Sequence, residues 1–213
     1  MDFAILTAAG ENGAQVRSDA LDEIRTQAIR CGKVVRSVLQ FARSEATEKW
    51  SSDLTGVLRT AIDVTARYAN ERGAHVEIDL SREASGQTVL MNPIEIEQVF
   101  VNLIRNAVES QPSGTRVNVS TRWVEGAVEI SIEDDGPGIP EAHAEHIFDP
   151  FYTTRLREGR TGLGLSVAHG IVEDHGGSMW HETLDEPSVD GSRTLGGTRF
   201  HVRLPAEKTS PRA

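Results

Sequence analysis

The sequence predicts an α+β protein: a two-layer α/β sandwich preceded by a long amphipathic helix. Three observations lead to this prediction. Small or apolar residues recur at alternating steps of three and four near the N-terminus. The remainder mixes helical stretches with short, mostly antiparallel strands. No GxGxxG follows a first strand and no GxxxxGK(S/T) occurs, which argues against Rossmann and P-loop folds.

Composition and charge exclude several classes of protein. The chain has 213 residues, of which 38% are hydrophobic and 25% charged, as in a soluble domain with a smaller added element. The formal net charge of −10 argues against nonspecific binding to nucleic acid. No apolar run reaches the roughly 18–20 residues that cross a bilayer. We therefore expect a cytoplasmic segment without membrane or nucleic-acid contacts, and the single Cys31 excludes an internal disulfide.

The N-terminal apolar seam consists of Leu21, Ile24, Ala28, Cys31, Val35, Val38 and Ala42. It predicts a helix over about residues 17–46, with one face too apolar to stand alone in water. That face needs a second helix, as in a homodimer, or else it packs onto its own domain. We predict a helical unit over residues 1–48, a main domain over 49–205 and a disordered tail over 206–213.

Caps, alternation and turns predict the elements of the main domain in order. Asp53 can cap a helix that ends near residue 72, before Gly73, and Pro93 suits the first turn of a helix that ends near residue 110. A third helix is predicted over about 163–175. The predicted strands are 75–80, 88–91, 115–123, 127–134, about 178–183 and about 198–204.

Two asparagines share one face of the helix that begins at Pro93. Asn102 and Asn106 are four residues apart, about one turn, and the opposite face is apolar. An amide oxygen suits a Mg²⁺ ion that already carries triphosphate oxygens. The alternative is a pair of solvent-facing or capping asparagines.

A second motif, DDGPGI, follows the strand that ends at Asp134. A carboxylate can accept a hydrogen bond from the exocyclic amine of adenine, and Gly136 and Gly138 let the backbone approach the base closely. Asp135 is expected to face solvent. The alternative is a simple Asp-Gly turn.

Two further motifs, FDPFYTTR (148–155) and TGLGL (161–165), frame a polar segment. TGLGL places backbone N–H groups at the start of a helix, where they favour a phosphate. Phe148 and Phe151 are expected to be core residues, which does not exclude that they also anchor the polar segment. Thr198 follows two glycines, in a ligand-facing position or in an ordinary strand-entry turn.

Together these motifs resemble the N, G1, F and G2 boxes of sensor histidine kinases, in the superfamily shared with gyrase and the large heat-shock ATPases. The variant FDPFYTTR is similar to that of the nitrogen-regulation branch. The resemblance covers about residues 51–205 closely and 17–48 more loosely. It implies a Bergerat-type ATP-binding fold that uses ATP and Mg²⁺ to phosphorylate a histidine, for relay to an aspartate on a response-regulator receiver domain. Residues 17–48 would then belong to a dimerisation and phosphotransfer hairpin.

The resemblance also assigns roles to single residues. Asn106 would hold Mg²⁺, Asn102 would lie beside the phosphates, and Asp134 would read adenine. Arg155 would meet the phosphates; Arg105 either approaches them or remains a solvated surface residue. The implied catalytic residues are Asn102 and Arg105. The implied ATP-binding residues are Asn102, Asn106, Asp134, Gly136, Gly138, Ile139, Phe151, Thr153, Thr154, Arg155, Thr161, Gly162, Leu163, Gly164, Leu165 and Thr198.

Two features bear on the reaction. Gyrase-type relatives carry a glutamate at the position of Asn102, and an amide cannot act as a general base, which favours transfer over hydrolysis. None of the seven histidines lies in a phosphoacceptor motif, and we interpret all of them as surface or packing residues. The acceptor is therefore expected upstream of Met1 or on another polypeptide. An anti-sigma-type serine kinase and a nucleotide-binding regulatory module without turnover remain alternatives.

Overall fold

The computed structural model describes residues 16–25, 27–28, 32, 48–81, 87–155, 161–187 and 193–206. A layer of helices packs on one face of a five-stranded sheet, and a separate two-stranded sheet precedes the central helix. The elements are β1 (Trp50–Asp53), α1 (Leu54–Glu71), β2 (His75–Leu80), β3 (Thr88–Met91), α2 (Pro93–Val108), β4 (Arg116–Val124), β5 (Ala127–Asp134), α3 (Glu141–Ala144), α4 (Gly164–Asp174), β6 (Ser178–Pro187) and β7 (Arg193–Pro205).

The large sheet has the strand order β2-β4-β5-β7-β6. Its first pair, β2 and β4, is parallel, and the other pairs are antiparallel. Alternate residues of β5 face the helices, and Ile130 and Ile132 there are almost completely buried. Helix α2 packs between α1 and α4 and buries Phe100 and Leu103 against this sheet. The predicted two-layer fold class is confirmed.

Local capping fixes where the two long helices begin. The Asp53 carboxylate accepts a hydrogen bond from the Thr55 N–H at 3.0 Å, as the sequence predicts for α1. Gly73 follows that helix with a φ of 65°, in the left-handed region that suits glycine. Asn92 caps α2 by accepting from the backbone of Ile94 at 3.0 Å, with proline in the first turn.

Three features of the fold differ from the sequence prediction. Strand β1 was not predicted, and it pairs with β3 in the small antiparallel sheet. The short helix α3 was not predicted. Strands β6 and β7 extend further than expected and pair along most of their length.

The N-terminal helix and the tail are described only in part. Residues 16–25, 27–28 and 32 are helical, and Leu21 and Ile24 of the seam are exposed. The other residues of the predicted helix 17–46 lie outside the described residues, as do residues 207–213 of the predicted disordered tail. Within the part of the chain that the structure describes, no helix has the length and hydropathy needed to cross a membrane.

Candidate nucleotide-binding site

Helix α2 and the start of α4 meet through one of the two predicted asparagines. The Asn102 side-chain amide donates a hydrogen bond to the backbone carbonyl of Gly164 at 3.2 Å. Asn106 is half-buried one turn further along the same face, while Leu103 and Ala107 on the opposite face are buried. The structure therefore brings together two motifs that lie about 60 residues apart in the sequence.

Asp134 lies at the end of β5 with only 4% of its surface exposed. Its Oδ1 accepts a hydrogen bond from the Gly136 N–H at 2.9 Å. An ideal Cβ at Gly136 would lie 2.6 Å from that same Oδ1 and 2.5 Å from Ser110 Oγ. There is therefore no room for a side chain at position 136, and glycine lets the backbone pack directly against Asp134 and Ser110.

Thr198 lies directly opposite Asp134 in the pairing of β5 with β7, and it is 4% exposed. The preceding Gly197 has a φ of 133°, and an ideal Cβ there would lie 2.1 Å from the Asp134 carbonyl oxygen. Only glycine permits so close an approach of the two backbones. Gly138, with a φ of 75°, and half-buried Ile139 continue the turn after Asp134.

Burial raises the pKa of Asp134 to about 6, and the neighbouring Asp135 adds to the increase. Hydrogen bonds from the Gly136 N–H, the Ser110 hydroxyl and the Thr198 backbone act in the opposite direction. The carboxylate is therefore mostly ionised at neutral pH, and in that form it only accepts hydrogen bonds. It can receive a donor such as an amino group.

Asp135 is partly exposed and is at the same time held by neighbouring residues, which the sequence did not predict. Its carboxylate accepts hydrogen bonds from Arg116 Nε at 2.9 Å, from the Arg116 N–H at 2.8 Å and from Gln111 Nε2 at 2.9 Å. Burial opposes the charge, but these bonds hold the pKa of Asp135 below its usual range. This anchoring of Asp135 fixes the backbone next to Asp134.

The two phenylalanines of FDPF have different surroundings. Phe148 is half-buried and packs on the core, whereas Phe151 is 58% exposed. The expectation that Phe151 is a core residue is therefore wrong. Its φ of 67° belongs to a tight turn that leaves the ring outside and turns its carbonyl toward Gly162, where an ideal Cβ would lie 2.7 Å from that oxygen. The F and G2 motifs meet through backbone atoms.

Arg155 reaches the C-terminal end of α2. Its guanidinium donates to the carbonyl of Glu109 and, at 3.2 Å, to the carbonyl of Ser110. A cation is favourable there because the last carbonyls of a helix carry partial negative charge. Thr153 accepts the Arg155 backbone N–H at 3.1 Å, and Thr154 is exposed.

Arg105 is turned toward α1. Its guanidinium lies 4.7 Å from the centre of the Tyr68 ring and 3.7 Å from a carboxylate oxygen of Glu109. The structure thus places it beside these two residues, in a cation–π contact and an ion pair. Its predicted catalytic role remains a prediction.

The TGLGL segment leads directly into α4. Thr161 Oγ1 accepts the Leu163 N–H at 3.4 Å, and the Leu163 side chain is buried. Among the described residues no side chain caps α4, so its first N–H groups can bind an anion. Gly164 is exposed and Leu165 packs on the core. Residues 156–160 of the polar segment, including Arg160, lie outside the described residues.

Sequence reasoning missed two residues beside Asp134, namely Ser110 and Gly197. Ser110 follows Asn106 by four residues, and this helical spacing could have placed it on the same face. Gly197 was noted as part of a glycine pair, but only the strand pairing reveals its contact with Asp134.

The family described as "Histidine kinase-, DNA gyrase B-, and HSP90-like ATPase" matches residues 91–208, which include Asn102, Asn106, Asp134 and Thr198. The chain belongs to this family. Among curated relatives, the C4-dicarboxylate transport sensor protein DctS of Rhodobacter capsulatus is 38% identical over 87% of this chain and 27% of its own length. Sensor protein FixL of Bradyrhizobium diazoefficiens is 31% identical over 88% of this chain and 35% of its own.

A solved structure agrees with this family membership. The catalytic domain of histidine kinase ThkA aligns with a TM-score of 0.64 and 27% identity, and the match covers 75% of this chain and 96% of that domain. This member of the ATPase family therefore shares the fold of a histidine kinase catalytic domain. It spans about a third or less of the length of DctS and FixL.

Proposed function

We propose that this chain is the ATP-binding catalytic core of a sensor histidine kinase. It transfers the γ-phosphate of ATP to a histidine, and a response-regulator receiver domain then takes the phosphate on an aspartate. The observation that carries the proposal is the buried Asp134 carboxylate at the end of β5, next to the glycine turn 136–138 and opposite Thr198. A purine amino group fits this acceptor, and the uncapped start of α4 suits the phosphates.

The residues present fit ATP and Mg²⁺ in complementary ways. Asp134 would accept the adenine amino group, with Gly136, Gly138, Ile139 and Thr198 beside the base. Asn106 would hold Mg²⁺ through its amide oxygen, a hard ligand that this ion accepts. When bound, the ion would shield the charge of the phosphates. The protein then contributes mainly position, because phosphoryl transfer depends on alignment and electrostatics.

Asn102 supports transfer to a protein group over rapid hydrolysis. Its amide nitrogen already donates to the Gly164 carbonyl, so its amide oxygen is directed by that bond. An amide has no basic site that could activate water. Asn102 would keep the start of α4 aligned with the phosphates until the acceptor histidine binds.

Contacts of the histidines support an acceptor other than these residues. His143 is hydrogen-bonded to Tyr152, His146 to Asp149, and His175 bridges two backbone segments. We propose that the acceptor histidine is supplied by sequence outside these 213 residues or by another polypeptide. Dimerisation through the N-terminal seam is part of the same proposal.

Incubation with γ-labelled ATP and Mg²⁺ tests the proposal, with nucleotide binding measured in the same sample. We expect binding without labelling of the chain, and acid-labile label on an added histidine-containing hairpin from a sensor kinase. Acid-stable label on a serine would indicate a serine kinase. Equal binding of ADP and ATP with no transfer to any hairpin would indicate a regulatory module.

The magnesium assignment has its own test. Asn106→Ala should weaken binding of Mg²⁺-ATP about tenfold or more, as expected for the loss of a metal ligand held among phosphates. Binding of metal-free ATP should change little. Equal losses for the two forms would remove Asn106 as a ligand.

A further inference from the structure

Lys49 lies immediately before β1 and contacts the far end of α4. Its side-chain ammonium group donates a hydrogen bond to the backbone carbonyl of Asp174, the last residue of α4, which is 125 positions further along the chain. Lys49 itself is half-buried. The described residues of the main domain begin at Glu48, so this contact lies within the entry segment, which consists of Glu48 and Lys49.

The C-terminal end of α4 needs a cation that the helix does not supply. Its last turn contains the acidic residues Glu173 and Asp174 and no basic residue. The last carbonyls of a helix carry partial negative charge, so carboxylates there are unfavourable and a cation is favourable. His169 lies 3.4 Å from the Glu173 carboxylate, but it carries charge only when it is protonated. Lys49 therefore brings the missing charge from another part of the chain.

The pairing of β1 with β3 supports this placement of Lys49. Trp50 lies opposite Met91 in the antiparallel register, and one further step along both strands brings Lys49 level with Asn92. The Asn92 N–H donates a hydrogen bond to His175 Nε2 at 3.0 Å. The entry segment, the start of α2 and the end of α4 therefore meet at one corner of the domain.

The charge of Lys49 is felt at His175, the residue that follows α4. Burial has the largest effect on the pKa of His175 and lowers it, and the positive charge of Lys49 lowers it further. The hydrogen bond to the Ile171 carbonyl and the charges of Glu95 and Asp174 act in the opposite direction. The pKa of His175 is therefore a local measure of whether the ammonium group is in place.

We propose that Lys49 is a positioning residue, which fixes the entry segment to the C-terminal end of α4. Helix α4 has 11 residues, a length of about 16 Å, and its other end contacts Asn102 at the proposed phosphate site. The N-terminal helix therefore joins the domain at a fixed point. The use of this point rests on the proposed function: it restricts the directions from which a helical hairpin that carries the acceptor histidine reaches the γ-phosphate.

Two NMR measurements on the ligand-free chain test the proposal. Lys49→Met keeps a long side chain and removes the charge. We expect the backbone order parameters of residues 48 and 49 to fall from about 0.8 to below about 0.6, the range of flexible backbone, and the pKa of His175 to rise. Lys49→Arg keeps a cation and should retain both wild-type values. Glu48→Gln changes an exposed neighbouring charge and is the matched control, which should alter neither value.

Calorimetric titration with Mg²⁺-ATP separates this proposal from the proposed function. Lys49→Met should bind ATP as tightly as wild type, because Lys49 lies at the end of α4 that is remote from Asn102. The proposal is overturned if the order parameters or the pKa of His175 stay unchanged in Lys49→Met, or if Lys49→Arg behaves like Lys49→Met. Weaker ATP binding in Lys49→Met would also overturn it, because Lys49 would then act by stabilising α4 as a whole. A wild-type chain that does not bind ATP would overturn the proposed function alone, since the NMR measurements need no nucleotide.

Discussion

Burial raises the pKa of Asp134 to about 6, from 3.8 for an ordinary aspartate. The unfolded chain therefore releases this proton at lower pH than the folded chain does. Between about pH 4 and pH 6 the folded state binds more protons, so the stability of the ligand-free protein falls as the pH rises through that range. At neutral pH the ionised carboxylate destabilises the empty site that it serves.

Asp134→Asn should consequently abolish ATP binding and stabilise the ligand-free fold at neutral pH. The neutral amide can still accept the Gly136 N–H, while the unfavourable burial of charge disappears. Since one pKa unit corresponds to about 1.4 kcal/mol, we expect a gain of about 1–3 kcal/mol in the free energy of unfolding. Denaturant unfolding and calorimetric titration with ATP measure the two effects.

Asp135→Asn is the matched control, because this neighbouring carboxylate is ion-paired with Arg116. It should leave ATP affinity nearly unchanged and lower stability by about 0.5–1 kcal/mol, the range of a partly exposed pair. A similar gain in stability from both substitutions would contradict the conclusion that the buried charge of Asp134 destabilises the ligand-free fold.

At the scale of elements, His175 joins the end of α4 to the start of α2. Its Nε2 accepts the Asn92 N–H at 3.0 Å, so its Nδ1 carries the proton and donates to the Ile171 carbonyl at 2.7 Å. Burial lowers the pKa of His175. The hydrogen bond to the Ile171 carbonyl and the charge of Glu95 raise it, but by less. Protonation of Nε2 would break the bond to Asn92, the residue that caps α2.

Acidification should therefore loosen this junction. A histidine with a lowered folded-state pKa keeps its full contribution above about pH 6.5 and loses it as the pH falls below the pKa of the unfolded chain. Because Asp134 changes stability in the opposite direction over part of this range, the two proteins are compared: from about pH 7.5 to pH 5.5 the melting temperature should fall less, or rise more, in His175→Gln, whose amide stays neutral, than in wild type. The pKa of His181 is also lowered by burial, so part of the slope should remain. An unchanged slope in His175→Gln would contradict this role.

Gly197 holds β5 and β7 close together at Asp134. A Cβ there would lie 2.1 Å from the Asp134 carbonyl oxygen, at a φ of 133° that other residues rarely adopt. Gly197→Ala should lower the free energy of unfolding by about 2–4 kcal/mol and weaken ATP binding as well. Gly170→Ala in α4 is the control: its Cβ meets nothing within 4 Å, so it should be neutral or stabilising by about 0.5–1 kcal/mol. Thermal unfolding of both variants measures the contrast.

At this scale, the elements that the sequence predicts are those with local signals. The capping aspartate of α1, the proline of α2 and the alternating strand β5 depend on neighbours within a few residues, and the structure confirms these elements. Strand β1 has the sequence WSSD, which lacks any alternation, and its pairing with β3 is a long-range choice. The exposure of Phe151 and the contact of Gly197 with Asp134 likewise depend on distant backbone, so no local pattern could reveal them.

Across the whole molecule, the face of the sheet opposite the helices contains a closed charge network. Alternation in β5 places Glu129 on this face, away from the core, yet its side chain is completely buried. Arg122 Nε donates to it at 2.8 Å, Arg203 at 2.7 Å, and His201 lies 3.3 Å away. The Trp180 ring stacks on His201 and lies under the Arg203 guanidinium. Strands β4, β5, β6 and β7 are thus tied together on the side that does not face the site.

This arrangement predicts that stability and nucleotide binding can be separated. Burial opposes the charge of Glu129, but the two arginines hold its pKa below the usual value. Its contribution to stability is therefore present above about pH 4.5 and is lost as the pH falls.

Glu129→Gln should lower the free energy of unfolding by about 1–3 kcal/mol at neutral pH. The loss stays below that of a fully buried pair because both arginines are partly exposed. Glu133→Gln removes a carboxylate that is more exposed than Glu129 and pairs with Arg199, and it should cost about 0.5–1 kcal/mol. Because Asp134 and the asparagines lie on the helix side of the sheet, ATP affinity should be the same in both variants as in wild type. A loss of affinity in Glu129→Gln, measured where the variant is fully folded, would mean that the outer face of the sheet is coupled to the site.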